Sequence, residues 1–137
     1  MLVAMVLPVA ARAADPEREA IDQLNQTRHA RGLAALHRSS SLSRSAKRYA
    51  SRMLRRHYFG HLAHIQVANG FGHAAETIAM HPGWSAAPLG TVRQWMASPH
   101  HRELLLSARF HWVGMGLARG RMGSRAVTTW VAHLGTP

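Results

Sequence analysis

The sequence predicts a single α+β domain, and three observations support this. Its 137 residues are enough for one hydrophobic core and too few for two. Apolar residues recur at helical spacing in the first half of the chain. Near the C-terminus, the segments 111–117 and 126–132 instead have the composition of β-strands. Helices followed by paired strands predict an α+β fold.

Two helices are predicted between residues 15 and 56. The first begins with Asp15 as its cap and Pro16 as its first residue, and it should end near Arg31, because Gly32 suits the left-handed position after a helix. The second follows a short extended link and is capped by the serines at 39–41. The predicted core-facing residues are Ala20, Ile21, Leu24 and Ala30 in the first helix, and Leu42, Ala46, Tyr49, Ala50, Met53 and Leu54 in the second.

A loop at 60–72 and a short apolar segment at 74–79 come next, and the periodicity of that segment does not reveal its type. After a turn at 81–83, a third helix is expected at 89–97, and Ser98 and Pro99 suit the start of a fourth. These helices should bury Val92, Trp95, Met96 and the leucines 104–106.

The C-terminal segments predict a β-hairpin that turns through Gly120 and Gly123.

The first 13 residues have the pattern of a secretory signal. An apolar run is followed by Ala11-Arg12-Ala13, which offers a small-residue cleavage site, although no basic residue precedes the run. The run is shorter than the roughly 20 apolar residues of a membrane-spanning helix, so no anchor is expected. The alternative is a frayed apolar N-terminus. We therefore predict a signal peptide at 1–13 and a single domain at 14–137.

The chain is strongly basic, with a formal net charge of +11, and contains no cysteine. Its basic residues, all arginine except Lys47, are scattered without a long basic block. This charge favours attraction to nucleic acid, lipid headgroups or bacterial envelope material without choosing among them. We interpret the basic face of the second helix as a solvated face rather than a nucleic-acid surface. The lack of cysteine excludes disulfides and thiolate metal sites.

Glu76 is the acid whose position is informative, because it lies among small and apolar residues. A buried carboxylate is costly unless it is hydrogen-bonded, paired or bound to a metal. A cation, an imidazole or several N–H donors should therefore lie nearby, and a salt bridge to one of the arginines is the alternative.

His101 should be the third residue of the fourth helix, where the helix dipole favours a neutral imidazole that can accept a proton or bind a metal. His100, its neighbour, should point elsewhere. A hydrogen-bonded histidine in the core is the alternative interpretation. A separate zinc site at His57, His61 and His64 is a weak hypothesis, because Gly60 favours a helix end between them.

Several short segments keep a fixed order between about residues 20 and 134. They are Asn25–Arg28, Tyr58–His61, Ala75–Ala79, Trp95–Arg102 and Gly114–Gly116. In order and spacing they resemble the bacterial branch of the CAP superfamily (SCP-like extracellular proteins), whose relatives include plant pathogenesis-related proteins, insect venom allergens and cysteine-rich secretory proteins. The resemblance implies an α-β-α sandwich with a small antiparallel sheet.

The resemblance also implies a cleft formed by His61, Glu76 and His101. In the family this cleft can hold a divalent metal, and two imidazoles with one carboxylate would suit zinc. Two departures stand out: Ala75 and His100 occupy positions where relatives have glycine. A second acid found in many eukaryotic members has no counterpart here, because no carboxylate lies between Glu76 and Glu103.

Two functions are compatible with this cleft. The first is a secreted or periplasmic binding module for lipid, sterol or cell-envelope ligands, expected to be a monomer without a membrane anchor. The alternative is a metal-assisted extracellular hydrolase that uses His61, Glu76 and His101, although no oxyanion donor is evident. Sequence-specific nucleic-acid binding is not expected, since the chain has no recognisable motif for it.

Overall fold

The computed structural model describes residues 14–65 and 70–137, so the predicted signal peptide lies outside the described residues. Four helices and four strands occupy this part of the chain. In chain order they are α1 (Pro16–His29), β1 (His37–Arg38), α2 (Ser40–Arg55), β2 (His73–Pro82), α3 (Pro88–Ala97), α4 (Pro99–Leu105), β3 (Trp112–Met122) and β4 (Arg125–Thr136). No helix in the described ranges is long and apolar enough to cross a membrane.

The strands form one sheet in the order β1-β3-β4-β2. The long strands β3 and β4 form the predicted antiparallel hairpin, and β2 pairs antiparallel with the other edge of β4. The two-residue strand β1 is parallel to β3. The segment at 74–79, left unassigned from the sequence, lies within β2. The predicted turn at 81–83 therefore starts later, since β2 continues to Pro82.

Helices cover both faces of this sheet, which confirms the predicted α-β-α sandwich and α+β class. On one face, α1, α3 and α4 pack around Trp95 and Trp130. On the other face, α2 packs through Tyr49 and Met53 against residues of β2, β3 and β4. All six apolar residues predicted to face the core from α2 are buried.

The first helix differs from its prediction near the C-terminus. Ala30 is exposed, and Arg28 is buried instead. The Arg28 guanidinium donates hydrogen bonds to the carbonyls of Ala34, Leu105 and Ser107 at 2.8–3.0 Å. Three carbonyl acceptors satisfy this buried cation without a carboxylate. These bonds join α1 to the end of α4, the helix that carries His101.

The second helix lies unusually close to β3 because two glycines of that strand face it. A Cβ added to Gly116 would lie 2.5 Å from Lys47 Cα, and one added to Gly114 would overlap the backbone of Leu42 and Ser43. The obstructing atoms are backbone atoms, which cannot rotate away. Glycine is therefore needed at both positions for α2 to approach the sheet.

We predict that Gly116→Ala destabilises the protein by about 1–3 kcal/mol, because overpacking forces α2 off the sheet. Gly90→Ala is the matched control. Gly90 lies exposed in α3, its added Cβ would make only an ordinary contact of 3.7 Å, and alanine should raise stability by about 0.5–1 kcal/mol. Urea unfolding measures both changes, and a Gly116→Ala variant as stable as the wild type would contradict the close packing.

Candidate functional site

The Glu76 carboxylate lies in β2, directly opposite His133 of β4. Its side chain is only 3% exposed, so its charge must be satisfied within the protein. Oε2 lies 2.8 Å from His133 Nε2. Oε1 accepts a hydrogen bond from the Leu62 backbone N–H at 3.0 Å and lies 3.1 Å from His61 Nδ1. The predicted imidazole and N–H partners are therefore present, and the alternative salt bridge to an arginine is not formed among the described residues.

The network extends from Glu76 through the sheet to α2. His133 is fully buried, and its second ring nitrogen, Nδ1, lies 2.6 Å from Ser45 Oγ in α2. The Ser45 hydroxyl also donates to the Leu42 carbonyl one turn earlier. Both nitrogens of His133 are thus hydrogen-bonded, and one polar chain connects α2, β4 and β2.

Helix α2 ends in a Schellman-type motif, and the segment that carries His61 follows it. The backbone N–H groups of His57 and Tyr58 donate back to Leu54 and Met53, and His57 has a left-handed φ of 48°. Its ring accepts a hydrogen bond from the Gly123 N–H in the β3–β4 turn.

Since α2 ends at Arg55, the residues His57, His61 and His64 do not share a helix face. The weak zinc hypothesis that joined them loses its geometric basis.

Two interactions hold His61 in place beyond the end of α2. The Tyr49 hydroxyl donates to the Gly60 carbonyl, and Glu76 accepts from the Leu62 backbone. The His61 side chain is half exposed, at 51%. With Nδ1 directed at the carboxylate, Nε2 makes no hydrogen bond to the described residues.

His101 is the third residue of α4, as predicted, and is half buried. Burial lowers the pKa of His101, and repulsion from the neighbouring charges of His100 and His61 lowers it further. The helix dipole was the expected cause of a neutral His101 ring, whereas burial is the main cause of its lowered pKa. Ser98 occupies the cap position, but its hydroxyl makes no capping hydrogen bond.

The structure thus brings two of the three predicted residues, His61 and Glu76, into direct contact. His101 makes no hydrogen bond to either of them, and its link to His61 is the repulsion that contributes to its lowered pKa. Within residues 14–65 and 70–137, no group of three or more His, Asp or Glu residues is arranged to hold a metal.

His133 and Ser45 were missed at the sequence level. A histidine inside the otherwise apolar run Trp130–Leu134 of β4 was the available signal for His133.

A family model supports the resemblance noted from the sequence. Residues 21–134 match the model of the cysteine-rich secretory protein family, CAP. The chain belongs to this family. No curated protein is similar enough in sequence to count as a match to this CAP domain.

Solved structures show the same fold. An outer surface protein of Borrelia burgdorferi is 18% identical with a TM-score of 0.73, and the match covers 92% of this chain and 96% of that one. An extracellular SCP-domain protein of Bacillus anthracis is 19% identical with a TM-score of 0.71, covering 89% of this chain but only 40% of the other. Venom allergen-like protein 4 of Schistosoma mansoni is 12% identical with a TM-score of 0.67, covering 90% and 91%.

We predict that His61→Gln raises the pKa of His101 towards its usual value of 6.5, because the repulsive imidazolium is removed. His100→Gln should act in the same direction. Since folding lowers the His101 pKa, its stabilising contribution is present above the unfolded pKa and is lost as the pH falls through the folded pKa. NMR titration of the His101 ring protons measures the shift, and an unchanged pKa in both variants would show that the three rings are not close.

Proposed function

We propose that this CAP domain is an exported binding module whose ligand site includes the imidazoles of His61 and His101. The hydrogen bond from His61 Nδ1 to the Glu76 carboxylate is the observation that carries this proposal. A carboxylate behind an exposed imidazole fixes the ring orientation and leaves the other nitrogen available to a ligand. The lowered pKa of His101 favours the neutral ring that a ligand or metal requires.

We further propose that a divalent metal such as zinc is held by the imidazoles of His61 and His101. Such an ion would supply coordination positions for an oxygen atom of the ligand. Direct coordination by Glu76 would require the carboxylate to give up hydrogen bonds to His61, Leu62 or His133. We therefore assign Glu76 the role of orienting His61 rather than that of a direct ligand.

The geometry favours binding over hydrolysis. In the hydrolase alternative Glu76 acts as a general base, which must reach the proton that it removes. Its side chain is almost inaccessible, and both of its oxygens have partners within the protein. No observation on the described residues favours the enzyme, so we propose the binding module alone.

Export is part of the same proposal. The apolar segment at 1–13 would direct secretion or periplasmic delivery, and the domain at 14–137 would meet lipid, sterol or cell-envelope ligands there. Two structural relatives support this location by their descriptions, one as an outer surface protein and one as an extracellular protein.

Zinc titration by calorimetry tests the site. We expect the wild type to bind zinc and both His61→Ala and His101→Ala to lose binding, because each removes one of two ligands. Glu76→Gln should weaken binding by about 10- to 100-fold without abolishing it, as expected for a residue that orients a ligand. His29→Gln is the control and should bind like the wild type, since its exposed ring at the end of α1 is not part of the site.

Full zinc binding by His101→Ala would contradict the site. A complete loss in Glu76→Gln, with the fold retained by circular dichroism, would favour direct coordination by Glu76 instead. Metal-dependent turnover of peptide, ester or cell-wall substrates, lost in His61→Ala and Glu76→Ala, would contradict the binding module and support the hydrolase.

A further inference from the structure

The arginine-rich face of α2 lines two adjoining cavities. One has a volume of about 350 Å³ and is bordered by Arg52 and Arg56, and the other has a volume of about 400 Å³ and is bordered by Arg48, Arg52 and Arg55. Both cavities share Tyr49, Arg52 and Leu62 in their walls, so they form one groove between α2 and the segment 58–64. We call it the arginine groove. The sequence predicts a solvated face here, and its arginines are indeed exposed; four of them also border this groove.

No acidic side chain balances these arginines within the described part of the chain. Its salt bridges join Arg18 to Asp22, Arg38 to Asp15, and two histidines to Glu76. Glu76 is committed to its own network and is almost inaccessible. Like charges spaced four residues apart also destabilise a helix by about 0.2–0.5 kcal/mol per pair. Arg48 and Arg52 have this spacing, and an anion in the groove would relieve their repulsion.

The opposite wall of the groove is apolar and aromatic. Leu62 and Ala63 contribute to it, together with Tyr58. Tyr58 and its neighbour Phe59 are 56% and 41% exposed, although large apolar side chains are usually covered. Aromatic residues beside a basic cluster are typical of proteins that sit at a membrane interface, where the rings enter the boundary region and the cations contact headgroups.

We propose that the arginine groove binds the phosphate group of an anionic membrane phospholipid, with Tyr58 and Phe59 inserted at the membrane surface. Arginine is suited to this role because its planar guanidinium can donate two parallel hydrogen bonds to a phosphate. Each compartment has the volume of a small-ligand pocket, which suits a headgroup. The exposed aromatic pair favours a lipid source over a free phosphate, since only a lipid surface would cover these rings.

This site is separate from the metal proposed at His61 and His101, and it rests on the proposed function only in that the domain must be exported to meet the lipid. His61 borders one compartment, so the two sites are neighbours. The experiments can show which of the two proposed sites is wrong. Loss of zinc binding in His101→Ala should leave lipid binding intact, and loss of lipid binding in an arginine variant should leave zinc binding intact.

Co-sedimentation with vesicles at physiological ionic strength tests the proposal. The probes are vesicles of phosphatidylcholine alone and of phosphatidylcholine mixed with phosphatidylglycerol, and the readout is the ratio of the two partition coefficients for the full chain. Because an apolar N-terminal segment would contribute to both, the ratio isolates the anionic headgroup. We expect the double variant Arg48→Gln, Arg52→Gln to lower this ratio by about 30-fold, as two basic residues at an anionic surface should.

A second double variant, Arg93→Gln with Arg109→Gln, is the matched control. It removes the same charge from exposed positions outside the groove, and screening by salt should limit its effect to about threefold or less. Equal losses in both double variants would overturn the proposal, because net charge alone would then explain binding. Phe59→Ser should also lower the partition coefficient for the mixed vesicles, whereas Leu89→Ser, at another exposed apolar residue, should not.

Two further probes distinguish the source of the phosphate. Inorganic phosphate is the first probe. If it binds the wild type as tightly as the mixed vesicles do, and if this binding requires Arg48 and Arg52, the lipid assignment is overturned in favour of a soluble anion. Single-stranded DNA is the second probe. If it binds through the same arginines and more tightly than the vesicles do, the lipid assignment is overturned in favour of nucleic acid. Circular dichroism of each variant checks that the helix is retained, as expected for a change from arginine to glutamine on an exposed face.

Discussion

The buried carboxylate of Glu76 is the constraint on which the candidate site depends. A carboxylate removed from water costs several kcal/mol unless hydrogen bonds compensate for it. Here the compensating groups come from β4 and from the segment after α2. The hydrogen bonds that satisfy this one charge therefore fix the segment after α2 and the orientation of the exposed His61 ring. Through His133 and Ser45, they also fix the position of α2 on the sheet.

The position of α2 links the site to the rest of the fold. Gly114 and Gly116 let the helix approach the sheet closely enough for Ser45 to reach His133. The same approach buries the apolar stripe of α2 and turns its arginines towards the segment 58–64. Four of the six acids lie between Asp15 and Asp22, at the start of the chain, so they leave this basic surface unbalanced. Packing and charge distribution together place the hydrogen-bonded pair of Glu76 and His61 beside a cationic groove.

The elements with local signals could be predicted from the sequence. The stripe of α2, the cap at Asp15 and the C-terminal hairpin depend on residues close to one another in the chain. The partners of Glu76 could not be predicted in this way, because the register of β2 against β4 brings together residues 57 positions apart. Arg28 was missed for a similar reason: its acceptors include carbonyls at the end of α4, far along the chain. The family resemblance, rather than local chemistry, was what united His61, Glu76 and His101.

The protonation pattern of the His61 ring tests most directly whether Glu76 organises the site. An ionised carboxylate can only accept hydrogen bonds, so a neutral His61 ring held by Glu76 must carry its proton on Nδ1 and leave Nε2 unprotonated. Nitrogen chemical shifts from long-range proton–nitrogen NMR spectra recorded at alkaline pH distinguish the two neutral forms. We predict the Nδ1-protonated form in the wild type, and its loss in Glu76→Gln. A wild-type ring protonated on Nε2, or a mixture unaffected by Glu76→Gln, would contradict this account.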